Sequence, residues 1–364
     1  DDVAGFTIVE LDGATEVDES GTTDTFTVVL DAEPATDVVL TVTSDDTSEA
    51  TVNSPLTFTP ANWDTPQTVT VTGADDDLVD GTITSTVTVA VDDVNSSDGF
   101  DSLIDQIVSV GTTDDDVAGF TIVELDGATE VDEAGSTDTF TVVLDAQPTS
   151  DVVMSTASND TSEATTTNTL TFTPSNWDTP QTVTVTGIDD NIIDGTVTSS
   201  VVISIIDANS DDDFDAIADQ TVSVDTADND APGFTIEETD AATEVDESGS
   251  TDTFTVVLDA QPTSDVVLTI TSDDTGEATL NSPLTFTSAN WDTPQTVTVT
   301  GEDDDLVDGT ITSTITVAVD DANSDDDFDS VADQTVSVDT TDDDVAGFTI
   351  EETDGSTEVD ESGS

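Results

Sequence analysis

Glycine stands at positions 5, 119, 233 and 347, and tryptophan at 63, 177 and 291, so the chain repeats every 114 residues without insertion. A unit of that length has the size of one small domain and must close its own core, and identical units in series read as beads on a string. The period divides the chain into residues 1–116, 117–230 and 231–344, with 345–364 beginning a fourth unit.

Within the first unit, apolar residues alternate with threonine over short runs. FTIVE (6–10), TEV (15–17), DTFTVVL (24–30), DVVLTVT (37–43), LTFT (56–59), QTVTVT (67–72), TITSTVTVAV (82–91) and QIVSV (106–110) each read as a strand. A period of two points to half-buried β-structure, and β-branched Thr suits a wet sheet face. Gly, Pro, Asn and Asp punctuate the gaps. No segment reads as a useful helix. The expected fold is all-β: tandem immunoglobulin-like antiparallel β-sandwich domains in a linear array. One Trp per unit, in FTPANWDTPQ at 58–67, fits a core or corner position between two stiffening prolines, with a sugar-binding platform as the other use of such a residue.

The chain carries 85 acidic residues and no Lys, Arg or His, for a net charge of −85. Nucleic acid is excluded as a partner, because phosphate binding needs basic side chains. Anionic membrane surfaces repel such a chain, and no apolar run is long enough to enter a bilayer. Without Cys there is no disulfide, thiolate metal site or thiol nucleophile. An enzyme would be restricted to carboxylate chemistry, and near-identical copies without an evident cleft argue against one.

The acids gather at strand ends. In the first unit they form Glu16, Asp18 and Glu19; Asp45, Asp46 and Glu49; Asp75, Asp76, Asp77 and Asp80; Asp92, Asp93, Asp98 and Asp101; and Asp114, Asp115 and Asp116. Two carboxylates about 4 Å apart repel by roughly 4 kcal/mol at an effective dielectric near 20. Several at one pole would rival the whole stability of a small domain, about 5–15 kcal/mol. A hard divalent cation relieves this, and calcium accepts about 6–8 oxygens in irregular geometry, whereas zinc and copper lose their usual His and Cys ligands. Asp also outnumbers Glu, which suits short carboxylates reaching a cation from turns. The expectation is Ca²⁺, more than one per unit. The alternative is solvated acidic decoration of a salt-adapted surface.

These motifs resemble the Calx-beta family of calcium-binding sandwiches, found in sodium/calcium exchangers and in large bacterial surface proteins. The likeness covers each unit. It rests on Glu19 in VDESG, Asp45 and Asp46 in TSDDTSEAT, Asp75, Asp76 and Asp80 in VTGADDDLVDG, and Asp114, Asp115 and Asp116 before Val117, Ala118 and Gly119. The resemblance implies a calcium-binding sandwich with these residues as ligands. It carries over to Glu133, Asp160, Asp189, Asp190, Asp194, Asp228 and Asp230 in the second unit. In the third it reaches Glu247, Asp274, Asp303, Asp304, Asp308, Asp342, Asp343 and Asp344. The second unit departs from the pattern with Asn159, Asn191 and Asn229, each removing a charge. The stretch DVNSSDGFDSLIDQ (93–106) resembles the longer loop of giant bacterial adhesins, where Asp98 and Asp101 are a further candidate cation pair.

Calcium at residues 114–118 would fix the hinge between units. The chain therefore reads as a calcium-rigidified, extracellular or cell-surface structural array, an adhesin stalk or filament. Its expected partners are neighbouring repeats, other copies in a filament or bundle, and glycans. A glycan- or cell-adhesion module and an acidic surface-layer protein of a halophile are the competing readings.

Overall fold

A computed structural model describes residues 3–11, 13–167, 169–240, 242–353 and 355. Nine strands form in the first repeat: β1 Phe6–Glu10, β2 Thr15–Asp18, β3 Thr23–Leu30, β4 Val38–Ser44, β5 Ala50–Val52, β6 Leu56–Phe58, β7 Gln67–Gly73, β8 Ile83–Val91 and β9 Gln106–Thr113. They make a four-stranded sheet in the order β1-β3-β7-β5 and a five-stranded sheet in the order β2-β9-β8-β4-β6. The same two orders recur in the second and third repeats, so the chain is an all-β series of tandem sandwiches. Among the described residues the only helical turns are three short 3-10 segments, Asp207–Asn209, Asp212–Phe214 and Asp326–Phe328.

Two features depart from the sequence reading. The extra strand is β5, three residues long and paired antiparallel to the end of β7 (Ala50↔Gly73, Val52↔Val71). Only Ala50 of that strand is fully buried, so it has no alternation to betray it. The sandwich is also not purely antiparallel, since β2 runs parallel to β9 from Thr15↔Val110 to Asp18↔Thr113. The chain crosses from one sheet to the other between β1 and β2 without reversing. As a result β2, β4, β7 and β9 all point to one pole, and the loops that follow them converge there.

The alternating side chains close the core. Phe26, Val28, Val38, Leu40, Phe58, Val69, Val71, Val87, Val89 and Val110 are fully buried between the sheets. Each such side chain contributes about 1.5–3 kcal/mol on leaving water. Trp63 packs half-buried against this cluster, and its carbonyl accepts the Leu30 N–H at 3.2 Å, as expected of a corner residue. Trp177 and Trp291 do the same with Leu144 and Leu258.

The chain divides into two compact units. One holds the residues up to Val131, Gly135–Ile188 and Thr198–Asp225; the other holds Asp132–Ala134, Asp189–Val197 and the residues from Thr226 on. The second repeat's loop 189–197 thus belongs with the third sandwich. The fourth unit has no strand within residues 345–353, and Phe348 is 87% exposed. The identical FTIEE at 234–238 is a strand paired with 254–258, with Phe234 only 2% exposed. Asp354 and residues 356–364 of the expected fourth unit lie outside the described residues.

Candidate metal centre

Glu19 follows β2 in a tight turn. Gly21 takes φ 89°, and its N–H donates to the Asp18 carbonyl at 3.1 Å. The Glu19 N–H donates to the Thr113 carbonyl at 3.1 Å, extending the parallel pairing by one step. That bond anchors Glu19 beside the DDD run that ends β9. Glu19 is 1% exposed, and neither of its carboxylate oxygens has a hydrogen-bond partner. Burial, then repulsion from Asp76, Asp114, Glu49 and Asp80, pushes its pKa up to about 7.

The other loops supply carboxylates in two roles. Asp114 fastens the backbone: its Oδ2 accepts the N–H groups of Asp80 (3.0 Å) and Gly81 (2.8 Å), and its Oδ1 accepts Asp116 N–H (2.7 Å). Gly81 takes φ 74°, a conformation that suits glycine. Asp76 accepts Leu78 N–H at 2.8 Å, closing the turn that presents Asp80. With the loops so held, one oxygen each from Glu19, Asp114 and Asp116 lies within 4.8 Å of the others, and so do oxygens of Glu19, Glu49 and Asp80. Glu49 Oε2, Asp80 Oδ1 and Asp116 Oδ2 are buried without hydrogen-bond partners. Burial leads the causes that raise the pKa of Glu49, Asp80 and Asp116, and neighbouring carboxylates add to it.

The remaining expected residues sit around these groups rather than in them. Asp45 Oδ1 accepts Thr86 N–H at 2.6 Å and ties the β4–β5 turn to β8. Asp46 accepts the Ser48 N–H and hydroxyl, which lower its pKa. Asp75 and Asp115 are exposed; partial desolvation, then repulsion from Asp18, Asp75 and Asp114, raises the pKa of Asp115.

The second and third repeats reproduce the first of these two groupings, and among the described residues the grouping of Glu19, Glu49 and Asp80 has no counterpart in them. Glu133, Asp228 and Asp230 come together, as do Glu247, Asp342 and Asp344. Asp228 accepts from Asp194 and Gly195 N–H, and Asp342 from Asp308 and Gly309 N–H. Asp190 and Asp304 close their turns on Ile192 and Leu306. Asp160 and Asp274 brace theirs through Ser162 and Gly276. Asp189, Asp303 and Asp343 are exposed, as are Asp194 and Asp308. Asn159 accepts Ser200 N–H at 2.8 Å, so the amide does the bracing that Asp45 does and costs the pole nothing structurally. Asn229 acts differently: its N–H donates to Glu133 Oε2 at 3.1 Å and its amide to Asp189 Oδ1 at 3.3 Å.

Sequence reasoning assigns Glu49 to an acidic turn but not to the ligand set. Its copies Glu163 and Glu277 are equally buried, at 5% and 7% exposed. A signal existed: glutamate is the minority acid, and this slot keeps it in every repeat, immediately before a buried alanine. Asp98 and Asp101 join none of the clusters found among the described residues. The loop that contains them buries an acid in the later repeats instead. Asp325, 5% exposed, accepts hydrogen bonds from Thr263, Ser264 and Asp327, and these lower its pKa against the cost of burial.

Carboxylate-only donors, several of them buried and unpartnered, in a chain with no cationic side chain, fit a hard divalent ion. No protein-family model matches the chain, and no curated protein matches it. Among solved structures, the calcium binding domain CBD12 of CALX1.1 is 18% identical, at a TM-score of 0.24, over 54% of this chain and 80% of its own. The titin I-band fragment I67-I69 is 8% identical, at 0.27, over 93% and 97%. Domains 4-9 of the surface layer protein SbsC are 15% identical, at 0.26, over 94% and 48%. Scores this low carry no inference about function.

Proposed function

We propose that the chain is a structural, extracellular or cell-surface repeat array whose sandwiches are held pole to joint by Ca²⁺, more than one ion per repeat. Glu19, Asp114 and Asp116 supply one position, and Glu19, Glu49 and Asp80 a second that shares the buried glutamate. The units end after residues 116, 230 and 344. The observation that supports this most is Glu19: fully buried, unpartnered at both oxygens, and facing four other carboxylates. Calcium would supply the positive charge that the sequence lacks, and the loops after β2, β4, β7 and β9 would be held together through it. An adhesin stalk or a surface filament is the role such an array serves. Among the described residues no helix is long and apolar enough to cross a membrane.

Thermal unfolding of the whole chain tests this. Calcium at a thousandfold excess over its Kd stabilises by about 4 kcal/mol per independent site. Chelation should lower the transition midpoint sharply, and magnesium should restore little of it. A midpoint indifferent to the chelator sinks the proposal.

A further inference from the structure

The loop that carries the acids has a second face. In the first repeat the Val79 N–H donates to the Gln147 carbonyl at 3.0 Å, and the Gln147 N–H donates to the Asp77 carbonyl at 2.6 Å. Leu78 forms an isolated parallel bridge with Gln147, and Val79 packs half-buried against the second sandwich's core. In the second repeat the Ile193 N–H donates to Gln261 at 3.3 Å, and Gln261 N–H returns to the Asn191 carbonyl at 2.6 Å. Here the apolar residue goes further. Ile193 is 9% exposed and counts among the buried core residues of the third sandwich.

The two loops therefore lean on different forces. The first loop reads ADDDLVDG and the second IDDNIIDG. Between them Asp77 becomes Asn191, and Asp115 becomes Asn229. In the second pole the Asn229 N–H already serves one oxygen of Glu133, and its side chain serves Asp189. Glu133 thus has one hydrogen-bond partner where Glu19 has none, and two side chains around the second pole are neutral where the first has carboxylates. In exchange, isoleucine replaces valine at the plug and gains burial. Isoleucine carries one more methylene than valine and buries it, so the apolar part of the second seat is the stronger.

Resting on the calcium reading above, we propose that the two loops are seated by different forces: the seat of the first loop on the turn at Gln147 depends on the cation of its own pole, whereas loop 189–197 is seated on the turn at Gln261 by its apolar plug, so that this loop keeps its seat when calcium is withdrawn. The partner surface in each case is the turn of the next repeat that carries Gln147 or Gln261. Each glutamine is itself held in place, donating its side-chain amide to Pro174 (2.8 Å) or Ser288 (3.1 Å).

Amide hydrogen exchange on the full chain, with and without a calcium chelator, reads both seats in one experiment, and calorimetry with calcium alone records whether the ion binds. On chelation, exchange at Val79 and Gln147 should accelerate by about tenfold or more, while Ile193 and Gln261 stay within about threefold. Equal loss at both seats, or greater loss at the second, overturns this difference between the loops and leaves the calcium reading standing. No change at the first seat although calcium binds also overturns it. No calcium heat and no change at either seat overturns both readings. The variant I193V/N191D/N229D should make the second loop behave like the first, and failure to do so counts against the proposal.

Discussion

Residues 75–81 and 303–309 are the same seven letters, DDDLVDG, in different company. In the first segment Leu78 and Val79 are half-buried and bonded to the turn at Gln147. In the second, Leu306 and Val307 are 61% and 56% exposed. The inward chemistry is unchanged: Asp342 holds Asp308 and Gly309 as Asp114 holds Asp80 and Gly81. The loop is thus two devices on one backbone. Its acids belong to its own pole, and its apolar pair belongs to whatever comes next.

The largest effect should come from the acid face. Glu19→Gln keeps the shape and removes the charge. In calcium it should lose most of the first repeat's metal-dependent stability, about 4 kcal/mol at saturation. In chelator the sign should reverse, with a gain of about 1–3 kcal/mol, because a buried, unpartnered carboxylate disfavours folding. Chemical denaturation in the two media measures both. A variant destabilised equally in both would assign Glu19 to packing alone.

The same residue gives a pH signature. Burial and like charge raise Glu19 and Glu133 from an ordinary 4.5 to about 7 in the metal-free protein. The native state then binds more protons than the unfolded chain between those values, so metal-free stability should fall as pH rises from 4.5 to 7. Calcium competes with those protons, and its affinity should rise over the same window. Melting points in chelator that climb from pH 4.5 to 7 would contradict this.

Asp325 sharpens the contrast between kinds of buried acid. It is as hidden as Glu277 but accepts hydrogen bonds from Thr263, Ser264 and Asp327. Asp325→Ala should cost about 1–3 kcal/mol with or without calcium, since it strands those donors. The first repeat has Ser97 and Ala35 where the third has Asp325 and Thr263, so acceptor and donor are exchanged together. A calcium-dependent cost at Asp325 would place a cation at that loop as well.

Much of this was legible in the residues. Strict alternation places Phe26, Val28 and Leu30 inside, and those side chains are buried. The DDD run and Glu19 announce themselves because they lie at strand ends, and the parallel β2–β9 pairing, which no local pattern encodes, brings them together. Glu49 stayed hidden because it borders a three-residue strand without periodicity. The role of Leu78–Val79 stayed hidden for another reason. Two apolar residues among aspartates carry no period, and what buries them lies some 70 residues further along the chain. A faint trace does exist: Gln147 and Gln261, which receive the loop, stand where the first repeat has Glu33.

The smallest predicted effect isolates that apolar face. Val79→Ser removes about half of a valine's burial, and a fully buried valine is worth roughly 1.5–3 kcal/mol, so the loss should be about 1 kcal/mol. It should appear as faster amide exchange at Gln147, with calcium binding by the first pole unchanged. Val307→Ser, the same substitution in the same seven residues, should change stability by less than about 0.5 kcal/mol, because an exposed side chain has little burial to lose. Equal costs at the two positions would mean that the pair acts within its own loop, and the docking role of Val79 would fall. A cost confined to Val79 would show that the same seven residues act through their apolar pair only where that pair is buried.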